Sequence, residues 1–301
     1  MTTSTTFELL MKRITAGDRL AADELSVLAD APDILPLGML ADTLRRHLRG
    51  TRVTYLRVAS CPFDASFAQV VPPAAREVRI TGAPPTLEVA VSAVKSAKAV
   101  AGERAVSGFG WPDVDRIAAA PGATVSRVLE ELRAAGLDAF VELALDAIPD
   151  SAIASLAGAG FGSLRLTIDH ASSAERLALF QRASSLQNTH RCIHALNPLP
   201  TMLQAYRPTT GYADVKAVAI ARLAAPEIPS IQVDWSRYGP KLAQVALTFG
   251  ADDLDAVTAS DDAPDGRRRA PIEDVRRNIE AAGFQPEERD GWFRLSSSNV
   301  S

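Results

Sequence analysis

The pattern of apolar and polar positions changes character near residue 50. Before it, apolar residues recur at helical spacing. The stretch "GDRLAADELSVLADA" carries Leu20, Leu25 and Leu28 behind Asp18, a natural N-cap. The stretch "ILPLGMLADTLRRHLRG" puts Leu37, Leu40, Ala41, Leu44 and Leu48 on one face, then ends in basic residues and Gly50. Residues 1–50 are therefore expected to form a helical N-terminal extension.

From Arg52 onward short strand-like runs alternate with helix-like ones. Strands are expected at "RVTYLRVA" (Arg52–Ala59), "EVRITG", "RAVSGFG", "AFVELAL", "SLRLTID", "RCIHALNP" and "SIQVDW", with a short last one at "DDLDAV". Helices are expected at "TVSRVLEELRAAGLD", "PDSAIASLAGAG", "SSAERLALFQRASSLQ", "GYADVKAVAIARLAAP", "GPKLAQVALTFG" and "IEDVRRNIEAAGF". Units of about 25–35 residues imply parallel strands joined by right-handed crossovers. Seven or eight of them favour an α/β fold of the TIM-like (β/α) barrel type over an open doubly wound sheet. No G-x-G-x-x-G follows the first strand, so a dinucleotide site there has no support. The span Gln69–Arg76 is too short for an ordinary crossover helix, so the barrel is expected to be incomplete there. The division expected is an extension over 1–50, a barrel over 51–260, and an exposed loop, helix and tail over 261–301 that stay with the barrel. The tail "ERDGWFRL" is long enough to return to it.

Composition narrows the function. Of 301 residues 47% are hydrophobic and 23% charged, and the formal net charge is −4. Neither nucleic acid nor an anionic membrane surface is an expected partner. The basic run Gly266–Arg269 sits among Pro, Asp and Gly and reads as a solvated loop. No apolar run is long enough to span a membrane, and the N-terminus lacks the features of a signal peptide. Two cysteines, Cys61 and Cys192, make no disulfide framework, so a cytoplasmic setting is expected.

In a parallel barrel, chemistry gathers where strands end. That rule selects Cys61, Asp64 and Ser66 after the first strand, Glu142 and Asp146 at the fourth, Asp169 and His170 at the fifth, His194 and Asn197 at the sixth, and Gln232, Asp234 and Trp235 at the seventh. Ligand binding is assigned to Glu142, Asp169, His194, Asn197, Gln232, Asp234 and Trp235. Each has a plainer reading. His194 alternates with Cys192 and Leu196 and could be an ordinary interior histidine. Asp169 or Ser172 could simply cap the next helix. Gln232 and Asp234 share a face, and if it points inward they need partners. No C-x-x-C, H-x-x-x-H or G-x-S-x-G is present, so neither zinc nor a serine nucleophile is indicated.

The segments "GPKLAQVAL" and "FGADDLD", within Trp235–Val257, resemble the aminofutalosine synthase and dehypoxanthine futalosine cyclase group, radical S-adenosylmethionine enzymes of the futalosine route to menaquinone. The likeness extends through "PTTGYADVKAVAIARLAAPEIPSIQVDW", "VLEELRAAGLDAF", "LGMLADTLRRHLRGTRVTY" and "IEAAGFQPEERD". It implies a barrel of the radical S-adenosylmethionine type. It also implies three cysteines after the first strand, spaced by three and two residues, that hold a [4Fe–4S] cluster. In that frame Cys61 is the first ligand, while Ala65 and Ala68 stand where the second and third belong. One thiolate does not hold such a cluster. Other positions depart too: "TGAPP" stands for the family's "GG-x-HP", "VELALD" (Val141–Asp146) for its "GGGAE", and "DDLDA" for its "DDIDG".

The expectation is thus a cluster-free homologue with no cofactor, acting by binding. Its partner would be a small nucleoside or enol-ether metabolite, or an intact family member. Two alternatives remain open: a working radical enzyme using [4Fe–4S] and S-adenosylmethionine, and a non-radical enzyme built on polar groups such as Glu142, Asp169, His194 or Asp234.

Overall fold

The computed structural model describes residues 2–169, 173–200, 211–260 and 271–295. The basic run Gly266–Arg269, His170 and Ser172 lie outside the described residues, as does nearly all of the loop expected between Ser260 and Pro271.

Three helices open the chain: α1 (Thr2–Thr15), α2 (Ala22–Asp30) and α3 (Leu35–Arg49). The start of α2 differs from expectation. Asp18 is not its cap; the Ala21 backbone N–H instead donates to the Glu24 carboxylate at 2.7 Å. Helix α3 ends at Gly50, whose φ of 64° suits a residue without Cβ. Then follow β1 (Arg52–Pro62), α4 (Phe67–Val70), β2 (Glu77–Thr81), α5 (Leu87–Ala101), β3 (Ala105–Gly108), α6 (Trp111–Ala118), α7 (Val125–Ala135), β4 (Leu143–Ala144), α8 (Asp150–Gly158), β5 (Leu164–Ile168), α9 (Ser173–His190) and β6 (Ile193–Pro198). The chain continues through α10 (Tyr212–Ala224), β7 (Ser230–Asp234), α11 (Trp235–Leu247), β8 (Asp253–Thr258), α12 (Pro271–Ala281) and β9 (Gln285–Glu288). Helix α7 shows why the local reading succeeds: the Thr124 hydroxyl accepts from the Arg127 N–H at its start, and Gly136 closes it in the left-handed region.

The strands run parallel in the order β3-β2-β1-β8-β7-β6-β5-β4. This is the barrel order, with its two edges brought together by the bridge Ser107↔Ala139 and the Gly108 N–H to Ala139 carbonyl bond of 3.2 Å. The short first crossover is a single turn, α4, as the spacing implied. The gap expected there is not observed: even this single turn leaves β1 and β2 paired over five positions, from Val58↔Glu77 to Pro62↔Thr81. The thinnest seam in the ring is β3 to β4, because β4 is only two residues long. The C-terminal tail returns as β9 and pairs with Arg52–Tyr55, covering the half of the β1 edge that β2 leaves free.

The core lies both between sheet and helices and under the N-terminal extension. Helix α10 is buried at Asp214, Val215 and Ala217–Ala224, which means it is enclosed on all sides. It packs against α3, α9, α2 and the strands β6 and β7. Helix α3 also comes close to the turn after α11, where Gly38 faces the Phe249 ring and a Cβ would meet it at 2.7 Å. Each fully buried Leu in this contact, such as Leu37 or Leu40, contributes about 1.5–3 kcal/mol by leaving water.

Candidate functional site at the barrel mouth

Strand alternation sends a row of charged side chains inward. Glu77 and Arg79 come from β2, Arg165 and Thr167 from β5, Gln232 and Asp234 from β7, and Asp253 and Asp255 from β8; all are buried. Arg165 donates to both Glu77 oxygens (3.0 and 2.5 Å) and to the Gly291 carbonyl at 2.8 Å. Arg79 bridges Glu77 (2.8 Å) and Asp255 (2.9 and 3.0 Å). Arg289, from the tail, grips Asp253 with two bonds of 2.6 and 2.7 Å. Three arginines thus face three carboxylates, and Thr54, Ser107 and Gln232 donate to the remaining lone pairs. Pairing of each charge is what makes so much buried charge tolerable; of these side chains only Arg165 Nε is buried without a partner among the described residues.

The electrostatics follow from that arrangement. Burial alone would push the Glu77 carboxyl up, but Arg165 and Arg79 outweigh it and hold it at about 2. Burial is likewise outweighed at Asp255, where Arg79, Arg165 and Arg289 hold the carboxyl well below the usual carboxylate range. Asp234 goes the other way: burial, and then the nearby Asp255, raise its carboxyl despite help from Ser236.

At the mouth, formed by the C-terminal ends of the strands, Glu142 and Arg237 join across the opening with two bonds of 2.8 Å. Glu142 has φ of 54°, a left-handed conformation that a glycine would adopt more readily. This is within the "VELALD" segment, where the family resemblance implied glycines. Beneath the pair, Arg79, Arg165, Thr167, Asn197, Gln232, Asp234 and Asp255 surround a cavity of about 10 Å3, space for one water at most. The Oδ1 of Asn197 is buried there and has no hydrogen-bond partner among the described residues.

The assigned residues therefore separate. Glu142, Asn197, Gln232 and Asp234 come together. Asp234 also caps α11, accepting from the Ser236 and Arg237 N–H groups at 2.9 Å each. Gln232 is committed to Asp253 at 2.6 Å. The inward face expected for Gln232 and Asp234 is observed, and the partners they need come from the protein itself. Trp235 starts α11 half-buried. Asp169 follows β5, its N–H 3.4 Å from the Asp146 carboxylate; the other candidate cap, Ser172, lies outside the described residues.

His194 is elsewhere. The pairing jumps from Leu164↔Ile193 to Arg165↔Ala195, so a bulge at His194 breaks the alternation expected with Cys192 and Leu196. Its ring stacks on Phe293 at 3.9 Å, near the opposite end of the barrel. Glu77, Arg79, Arg165, Asp253, Asp255 and Arg289 were not selected from the sequence. For all but Arg289 the signal was present as polar residues at period two, in "EVRIT", "LRLTI" and "DLDAV".

Cys61 corrects a boundary. It lies inside β1, which runs to Pro62, and pairs with Ile80 in the sheet. It is 2% exposed, its Sγ lies 3.8 Å from the Ala59 carbonyl, and burial raises its pKa. Ala65 is half-buried and Ala68 exposed on the turn that follows. Cys192, just ahead of β6, is at the other end of the strands. Among the described residues no group of three or more His, Cys, Asp or Glu is placed to hold a metal ion.

Residues 198–299 match the family model described as CofH/MqnC C-terminal region. The chain is 29% identical over 223 residues to the 5-amino-6-(D-ribitylamino)uracil--L-tyrosine 4-hydroxyphenyl transferase of Archaeoglobus fulgidus, covering 63% of this chain and 64% of that protein. It is 33% identical over 92 residues to the aminodeoxyfutalosine synthase of Streptomyces coelicolor, covering 29% of this chain and 24% of that protein. The chain thus spans less than two thirds of the length of these curated relatives. Among solved structures, the FeFe-hydrogenase maturase HydG of Carboxydothermus hydrogenoformans superposes with a TM-score of 0.68 at 10% identity, over 97% of this chain and 82% of that one. Methylornithine synthase (PylB) gives a TM-score of 0.65 at 15% identity, over 92% of this chain and 97% of that one. Sequence and fold agree: residues 198–299 carry the likeness to the CofH/MqnC C-terminal region, and the parallel strands form a TIM-like barrel similar in fold to HydG and PylB.

Proposed function

We propose that this chain is a cluster-free homologue of the aminofutalosine synthase group that acts by binding and not by radical chemistry. One observation carries the reading. Of the three ligand positions in the cluster frame, only Cys61 is a thiol, and it is packed into strand β1 at 2% exposure. Ala65 and Ala68 occupy the other two, and Cys192 sits beyond reach at the opposite strand ends. A [4Fe–4S] cluster of this type needs three thiolates on one loop, so the residues present do not fit it.

The interior supports the same reading. Three ion pairs and their hydrogen bonds fill the space under the mouth, leaving about 10 Å3. What remains available for recognition at this end is the mouth itself: the Asn197 Oδ1, which has no partner among the described residues, the raised carboxyl of Asp234 and the half-exposed Glu142–Arg237 pair. Their chemistry suits a small polar metabolite such as a nucleoside or enol ether; the other partner in keeping with the family is an intact, cluster-bearing relative. The proposed setting is the cytoplasm, as an accessory to menaquinone biosynthesis by the futalosine route. No helix among the described residues is long and apolar enough to cross a membrane.

The test is anaerobic reconstitution with iron and sulfide. The expected result is no stable cluster absorbance and no 5′-deoxyadenosine from S-adenosylmethionine under reduction. A [4Fe–4S] spectrum with a full cluster per chain would overturn the proposal in favour of a working radical enzyme. Thermal shift with futalosine-type nucleosides and chorismate-derived enol ethers then identifies the ligand; one at 100 times its Kd stabilises by about 2.7 kcal/mol.

A further inference from the structure

At the end of the barrel opposite the mouth there is a second cavity, of about 110 Å3. That volume has room for a tetrahedral oxyanion, since by the same measure a single water needs only about 10–15 Å3. Arg49 from the last turn of α3, Arg52 from β1, His194 from the β6 bulge, Asp252, and Arg289 and Phe293 from the tail line it.

Charge is unbalanced here. The guanidiniums of Arg49, Arg52 and Arg289 in the wall, and of Arg222, which shares Asp252 with Arg49, pair with only three carboxylates among the described residues, those of Asp252, Glu287 and Asp253. Arg49 and Arg222 share one oxygen, Asp252 Oδ2, at 3.3 and 2.8 Å. The Arg222 contact is close but out of line, so that neither its terminal nitrogens nor Asp252 Oδ2, all buried, completes a hydrogen bond among the described residues. It therefore counts as proximity of charge and not as a satisfied bond. Arg52 and Glu287 are paired at 3.1 Å with side chains 52% and 34% exposed, a weak pair that a better acceptor can displace.

His194 completes the wall. Its ring is stacked on Phe293, and its nitrogens make no hydrogen bond with the described residues. The charged groups that bear on it are Arg289 from the tail, Arg49 from α3, Asp253 from β8 and Arg165 from β5. Burial, then Arg289 and Arg49, hold its pKa at about 4, which leaves a neutral imidazole with one N–H to donate at pH 7. Phe293 has φ of 64°, and the guanidiniums of Arg289 and Arg165 lie 4.0 and 5.3 Å from its ring centroid. An unusual backbone conformation thus holds the ring against His194.

We propose that this cavity is a binding site for a small oxyanion of the phosphate class, held by Arg49, Arg52 and the imidazole N–H of His194. Guanidinium forks match the geometry of such an anion, and the anion would balance the surplus charge. The site is separate from the mouth and does not depend on the function proposed for it.

The test titrates the full chain, with 15N-labelled histidine, with inorganic phosphate at ionic strength held constant by chloride. The expected result is a saturable shift of the His194 imidazole alone among the four histidines, with its titration midpoint moving upward as the anion offsets the arginines. Sulfate should compete. Arg52→Gln, at a half-exposed side chain, should keep the fold and weaken binding by tenfold or more, whereas Arg127→Gln on α7 should leave it unchanged. No saturable shift, a shift reproduced by chloride alone, or undiminished affinity in Arg52→Gln would each overturn the proposal.

Discussion

The buried pair Arg289–Asp253 offers the sharpest test of how this barrel is held together. Its side chains are 1% and 0% exposed, and two bonds of 2.6 and 2.7 Å join them. The other lone pairs of Asp253 accept from the Thr54 hydroxyl and the Gln232 amide. Asp253→Ala removes the acceptor for all three donors and leaves the Arg289 charge unpaired in the interior. Breaking one side of a buried ion pair costs about 3–5 kcal/mol. Unfolding entropy near 2.1 cal/mol/K per residue gives about 0.6 kcal/mol per kelvin for 301 residues, so a loss of about 4 kcal/mol lowers Tm by about 6 °C. Denaturant unfolding followed by far-UV circular dichroism measures the free energy, and a thermal scan gives Tm. The double variant Asp253→Leu with Arg289→Met should recover most of the loss, because it removes both charges and keeps the volume. A single variant within about 1 kcal/mol of the native protein would refute the reasoning, as it would mean that water or another carboxylate already reaches Arg289.

Acid should destabilise the fold in two windows. Glu77 has a folded pKa depressed to about 2 from 4.5, so its contribution is present above 4.5 and is lost as pH falls toward 2; His194, depressed to about 4 from 6.5, contributes stability above 6.5 that is lost as pH falls toward 4. His194→Phe should flatten the upper window of a stability–pH curve and leave the lower. A Cβ on Gly291 would meet the Ala105 Cβ at 2.5 Å and the Glu77 carboxylate at 2.6 Å, so Gly291→Ala should undock the tail, cost about 2 kcal/mol or more and alter Trp292 fluorescence. Gly158→Ala, in α8 with nothing within 4 Å of the new Cβ, should be neutral or stabilise by up to about 1 kcal/mol. Both thiols are buried, with pKa values that burial raises, so iodoacetamide should label native protein only as fast as it opens. Rapid stoichiometric labelling of Cys61 would show that the β1 end is not packed as described.

Most of the helices were legible because their ends are made locally. Thr124 and Gly136 bound α7, and Gly50 closes α3, through contacts within a few residues. The barrel was legible because burial on both faces forces short apolar runs, and the crossovers space them. The mouth was half legible: Glu142, Asn197, Gln232 and Asp234 were placed by position along their strands, whereas His194 was misplaced by a one-residue bulge that no local pattern announces. The extent of β1 past Cys61 was hidden too, since Pro62 pairs with Thr81 only because β2 lies beside it.

By itself, then, the sequence determined the order and type of elements, the likeness to a radical S-adenosylmethionine family, and the absence of two of the three cluster thiols. Those depend on local propensity and on which residue types are present. Tertiary structure alone decided what the inward polar residues do. Arg165 meets Glu77 88 positions away, and Arg79 meets Asp255 176 positions away. The tail closes the end of the barrel with Arg289 and Phe293. The physical reason is desolvation. A charge placed inside the barrel is tolerated only beside its opposite, and which opposite it finds depends on strand register and packing, which residue order along a single strand does not contain.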